Sequence, residues 1–202
     1  GGRLFTDRYL WRTHAEMRAF TFESGLAALV GQLMGSQTAR LYFDHLLIKE
    51  PNTLAPTPWH QDAPYWPFQG RQIASAWVAL TNATVEGSAM EFVRGSHADG
   101  RIYKPEVFGD SKKNANASWT TKSDAEPVPN IEGNRAAFEI IGWDMQAGDA
   151  VVFSAGVLHG ARGNASASQR RIAISTRWLG DDVLWSPSEG TDPTVTQADE
   201  IR

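Results

Sequence analysis

His60 and Asp62 lie two residues apart in the run TPWHQDAPYWP. On extended backbone both side chains project from one face, so one imidazole and one carboxylate can grip a single ion. Filling one face of an octahedron takes a third ligand. His159 is the candidate, because it follows the strand-like run AVVFSAG and is itself followed by Gly160. Two histidines and one carboxylate on one face leave three positions open, the arrangement with which non-haem Fe(II) oxygenases bind a co-substrate and dioxygen. An H-x-D pair alone arises often by chance, so its meaning depends on what accompanies it.

What accompanies it is the run GNASASQRRIAIS, in which Arg170 and Arg171 fall about twelve residues after His159. On a strand only one of the two can face inward. A guanidinium buried near a metal is costly unless it meets an anion, and its rigid fork suits a carboxylate in two-point fashion. The far carboxylate of 2-oxoglutarate is such an anion. Eight tryptophans are many for 202 residues, and those in WHQD, PYWPF and SAWVAL flank the candidate ligands, as an aromatic-walled pocket requires.

These side chains need a scaffold, and the pattern around them is mostly that of strands. RLYFDHLLIKEP alternates and ends at Pro51; IASAWVAL, AMEFV, AFEII, AVVFSAG and RRIAISTRWL follow, separated by turn material such as VEGS and QAGD. Such a series predicts a mainly β fold of the meander or jelly-roll kind, not a parallel α/β sheet. A helix is predicted from Glu23 to Leu33, where Leu26, Leu29, Val30 and Leu33 recur at three-and-four spacing before Gly35. Residues 97–134 form a long polar excursion expected to cover the site or select the substrate. The stretch after Trp185 lacks a core-forming pattern.

Composition narrows the partners. A length of 202 residues suits one domain over 1–202, with 42% hydrophobic and 21% charged residues, as in ordinary packed proteins. A net charge of -4 offers no broad basic field for nucleic acid, so a small-molecule substrate is expected. No apolar run is long enough to cross a bilayer, and the start GGRLFTDRYLW has no signal-peptide core, so neither membrane nor export is expected. Without cysteine, any metal must be held by histidine and carboxylate, which fits a cytoplasmic protein.

Taken in order, SGLAALVGQLMG, RLYFDHLLIKEP, TPWHQDAPYWPF, SAWVALTNATVEGSAMEFVRGSH, HGARGNASASQRRIAISTRW and the following GDD resemble the phytanoyl-CoA dioxygenase (PhyH-like) family of Fe(II)/2-oxoglutarate oxygenases. The resemblance implies a double-stranded β-helix, a cupin-like jelly roll with flanking helices and the metal at one mouth. It implies Fe(II) on His60, Asp62 and His159, with 2-oxoglutarate and O2 as co-substrates and hydroxylation of a small molecule as the outcome. Arg171 matches the family's 2-oxoglutarate arginine best, Arg170 being the runner-up, while Trp77 and Lys49 fall where members line the co-substrate pocket. The family also implies several tens of residues ahead of Glu23, of which this chain carries few. Asp62 speaks against the relatives that replace the carboxylate and halogenate. The competing expectation is a metal-binding jelly roll without oxygenase activity, or an inactive relative. His14 and His45 are expected to be structural, His97 to stabilise a turn, Glu86–Gly87–Ser88 to be turn architecture, and Gln61 to point away from the metal.

Overall fold

The computed structural model describes residues 2–105 and 125–187. Most of the polar excursion's middle, and the chain after 187, lie outside the described residues. Eleven strands and three α-helices are formed among those described. The larger sheet has the order β1 (Leu4–Arg8), β2 (Arg40–Lys49), β10 (Arg171–Leu179), β5 (Ile73–Ala79) and β8 (Ala150–Ser154). The smaller runs β3 (Thr57–His60), β9 (His159–Ala161), β6 (Met90–Val93) and β7 (Ile140–Gly142). Neighbouring strands are antiparallel in both.

Period-two alternation on β10 shows why these sheets form. Ile174 and Trp178 join Ala74, Ala76 and Val78 of β5 on the outer face, where α2 (Ala15–Glu23) and α3 (Leu26–Met34) pack through Met17, Phe20, Leu26 and Val30. Ala173, on the opposite face of β10, packs between the sheets with Trp77, Ala79 and Phe153, against Met90, Phe92 and Ala161 of the smaller sheet. Two antiparallel sheets closed over a shared core make a jelly roll, one of the β architectures the strand pattern predicts and the one the family resemblance implies.

Three local expectations change. The predicted helix does not begin at Glu23: Gly25 turns left-handed at φ 80 and divides α2 from α3, while Gly35, at φ 64, does end α3. AFEII is only partly strand, because a 3-10 helix occupies Glu132–Ala137 and β7 starts at Ile140. The edge strand β1 has no counterpart in the sequence reading; its pairing runs from Leu4 opposite Lys49 to Arg8 opposite His45.

A Cβ on Gly25 would meet no atom within 4 Å, so an alanine there tests backbone strain alone. Gly25→Ala is expected to lower stability by about 1 to 2 kcal/mol in urea unfolding; an unchanged midpoint would mean that the corner readily changes its conformation.

Candidate metal centre

The centre is built where the two sheets meet. His60, last residue of β3, lies opposite His159, first residue of β9, in the same ladder, and the two ring centroids are 4.1 Å apart. Asp62 does not continue the strand, contrary to the extended H-x-D expectation. Its backbone is helical (φ -75, ψ -40) and opens a 3-10 turn at Ala63–Tyr65. The turn is held because the N–H groups of Asp62 and Ala63 both donate to the carbonyl of Ala155, at 2.9 Å each. The carboxylate therefore reaches the site from a corner fixed to the segment just before β9.

Asp62 Oδ1 stands 3.7 Å from His60 Nε2 and 3.8 Å from His159 Nε2. One ligand atom from each of the three residues lies within 4.8 Å of the others, and all three residues are buried. Each imidazole places Nδ1 on a backbone carbonyl, His60 on Pro58 at 2.8 Å and His159 on Val157 at 2.9 Å. A carbonyl only accepts, so Nδ1 carries the hydrogen, and in the tautomer this selects Nε2 is the atom left to ligate. Burial, with His60 second, pushes His159 down to about 3, which keeps that imidazole neutral and fit to ligate. The donor set, two imidazoles and one carboxylate with no thiolate, fits a divalent transition metal such as iron.

Asp62 keeps its charge despite being buried. Burial raises its pKa, but Arg177, then His159 and His60, outweigh that effect and hold the carboxyl well below the usual carboxylate range. Arg177 Nε lies 3.4 Å from Asp62 Oδ2, and Ser75 donates its hydroxyl to the same oxygen at 2.6 Å. The guanidinium is wedged over the rings of Phe43 and Trp66, at 5.6 and 5.7 Å. Neither Ser75 nor Arg177 is among the site residues expected from the sequence. The available signal was the period of two that puts Arg177 on the same face of β10 as Arg171, with Ser75 opposite it on β5.

The other predicted residues separate. Arg170 is exposed and grips Glu50 at two points, 2.8 and 3.1 Å. Arg171 is buried, donates to the carbonyl of Leu47 at 3.1 Å and lies 5.8 Å over the Trp77 ring. Among the described residues its Nε has no hydrogen-bond partner, nor has Trp77 Nε1. Lys49 faces Arg171 across the β2–β10 ladder, is 1% exposed and donates to the carbonyl of Arg162 at 2.7 Å. Burial and then Arg171 push Lys49 down to about 7, and burial lowers Arg171 to about 10.

His45 stands opposite Ser175, and Ser175 opposite Trp77, in the same inward row. Its buried Nε2 has no partner among the described residues, and burial first, then Arg177, pushes it down to about 3. His14 shares a hydrogen with Thr13 at 2.8 Å and His97 is exposed; neither joins the triad. Gln61 spends its amide on backbone, donating to Arg101 and Gly156 (2.8 and 2.7 Å) and accepting from Tyr103 at 2.9 Å. Residues 128–132 of the excursion line a groove of about 570 Å³ with Trp59 and Arg162, and none of the triad lines it.

A jelly roll with a buried His–Asp–His cluster between its sheets defines the class: a cupin-like β-protein with a candidate site for one metal ion. The chain belongs to the phytanoyl-CoA dioxygenase (PhyH) family, whose model matches residues 2–172. No curated protein matches it in sequence. Among solved structures it is similar to the non-heme alpha ketoglutarate dependent carbocyclase SnoK from nogalamycin biosynthesis (TM-score 0.72, 22% identity, 96% of this chain and 70% of that one). It is likewise similar to the epimerase SnoN in complex with Fe3+, alpha ketoglutarate and nogalamycin RO (TM-score 0.68, 25% identity, 91% and 66%). A third is EvdO2 from Micromonospora carbonacea var. aurantiaca complexed with 2-oxoglutarate (TM-score 0.72, 19% identity, 94% and 72%). The chain thus spans 66% to 72% of these proteins' lengths. No helix among the described residues is long and apolar enough to cross a membrane.

Partners that orient a ligand typically contribute tenfold to a hundredfold in metal affinity. Ser75→Ala, which removes one donor from Asp62, is expected to weaken binding of a divalent metal by roughly that factor in a calorimetric titration. Undiminished affinity would assign the orientation of Asp62 to Arg177 alone.

Proposed function

We propose that the chain is an Fe(II)- and 2-oxoglutarate-dependent dioxygenase that hydroxylates a small molecule, with His60, Asp62 and His159 as iron ligands and Arg171 as the holder of 2-oxoglutarate. The observation that carries this reading is Arg171: a buried guanidinium, without a carboxylate partner among the described residues, on the inner face of the strand that also supplies Arg177 to Asp62. Such a charge is costly unless an anion completes it. Arg170, already occupied by Glu50, has no such need.

Bound iron, with 2-oxoglutarate and dioxygen, would supply the oxidising chemistry, and succinate and carbon dioxide would be its co-products. The chain's own part is to bind, orient and keep dry. His60 and His159 present Nε2 atoms fixed by their Nδ1 contacts; Asp62 supplies the anionic ligand, kept ionised by Arg177. Phe153 and Phe92 stand beside the His159 ring at 4.7 and 6.1 Å and help to exclude water. Trp77 and Lys49 wall the far end, where two cations await a carboxylate. The similar structures include a carbocyclase and an epimerase as described above, so hydroxylation is the part of this reading that needs a substrate to test.

Anaerobic Fe(II) and 2-oxoglutarate are expected to give the protein a visible charge-transfer absorption, and admission of air to release succinate. His60→Ala should abolish both, whereas Arg171→Ala should chiefly raise the 2-oxoglutarate needed. A protein that binds the metal but never gives the absorption is a binding module or an inactive relative. Lys49 is charged below about 7 and neutral above it, so it attracts the co-substrate's carboxylate only at the lower pH. Affinity for 2-oxoglutarate is therefore expected to fall as pH rises through about 7, and Lys49→Met to flatten that dependence in the same titration. A pH-independent affinity in the unaltered protein would remove Lys49 from the pocket's electrostatics.

A further inference from the structure

Ser88 is out of place as a mere turn residue. Its backbone is left-handed, at φ 78, and it is fully buried. A side chain in that region costs free energy relative to glycine, and such strain persists where the surroundings impose it. A glycine is available next door, but Gly87 serves another need: a Cβ there would come within 2.9 Å of Thr84 Oγ1. The chain thus places its small residue at the close approach and a hydroxyl-bearing residue in the strained conformation.

The hydroxyl is aimed at Arg171. Ser88 Oγ accepts from Arg171 Nη2 at 3.4 Å, and no other hydrogen bond is made by that oxygen among the described residues. Its own hydrogen is therefore free to donate. Apart from Lys49 directly opposite, the neighbouring inward positions around the guanidinium are apolar: Ala173 on β10, paired with Leu47 on β2 and Ala79 on β5. Ser88, from the turn before β6, supplies a hydroxyl where the walls supply none.

We propose that Ser88 is a co-substrate-binding residue whose hydroxyl donates to the carboxylate held by Arg171, so that the far end of the bound dicarboxylate is gripped by a guanidinium and a hydroxyl together. This rests on the reading of Arg171 given above. It makes Ser88 a specificity determinant: it acts on 2-oxo acids with a second carboxylate and not on those without one. A hydrogen bond to a charged group typically contributes on the order of tenfold to a hundredfold in affinity.

The experiment titrates anaerobic Fe(II)-loaded protein with 2-oxoglutarate and, separately, with 2-oxopentanoate, which lacks the far carboxylate, following the charge-transfer absorption. Wild type, Ser88→Gly and Ser88→Ala are compared, with thermal unfolding of each. Both variants should bind 2-oxoglutarate about tenfold to a hundredfold more weakly and 2-oxopentanoate as wild type does. Ser88→Gly, which relieves the backbone, should unfold no earlier than wild type. Unchanged 2-oxoglutarate affinity in Ser88→Gly, or equal losses for both ligands, would overturn the proposal and leave Arg171's role standing. If the wild type binds 2-oxopentanoate as tightly as 2-oxoglutarate, the reading of Arg171 fails, and this inference fails with it.

Discussion

A carboxylate buried between two β-sheets loses its hydration, and it stays ionised only if the protein replaces what water supplied. Asp62 is in that position, and Arg177 with Ser75 make the replacement on Oδ2, leaving Oδ1 turned toward the two histidines. The arginine must itself be held in a dry site, which the rings of Phe43 and Trp66 beside its guanidinium provide. Those rings belong to a buried cluster with Tyr42, Tyr65, Ile73 and Leu179. The ionisation of one candidate ligand thus depends on the packing of one end of the jelly roll.

The same strand sets the opposite end. From Arg177 inward positions on β10 run through Ser175 and Ala173 to Arg171. Arg177 is neutralised by Asp62; Arg171 is not, and Lys49 beside it adds a second buried basic group. The interior therefore carries a satisfied pair at one end and an unsatisfied positive end at the other, a polarity that suits a ligand chelated at one terminus and anionic at the other. The intervening row, His45, Ser175 and Trp77, is polar enough to line a ligand's middle and carries too little charge to bind one alone.

Support comes from outside as well. Asp44, on the other face of β2, accepts from the N–H groups of Leu10 and Trp11, so the first short helix (Leu10–Thr13) and the larger sheet are joined by one buried carboxylate. Gln61 does similar work at the candidate site: from between His60 and Asp62 it ties Gly156, just before β9, to Arg101 and Tyr103 at the root of the excursion. The ligand-bearing corner and the start of that excursion are one hydrogen-bonded unit.

Much of this was legible in the residue order because it depends on local period. Alternation in RRIAISTRWL and IASAWVAL set the β class and the inward set on each strand, and the ordered motifs brought His60, Asp62 and His159 together as candidates. Local period could not say which of two adjacent arginines faces in, since alternation allows either; pairing of β10 with β2 decided it, burying Arg171 and leaving Arg170 to Glu50. Nor could it show that Asp62 leaves the strand, because the pull of Ala155 on two N–H groups comes from a residue 93 positions along the chain in number, brought near only by the fold. Arg177 behind Asp62, and Ser88 against Arg171, are likewise pairings across elements distant in sequence. The sequence by itself determined the strands, their inward faces and the candidate ligands, because those follow from side-chain type and spacing. Only the tertiary structure decided which charges meet, because buried charges are matched through space and not along the chain.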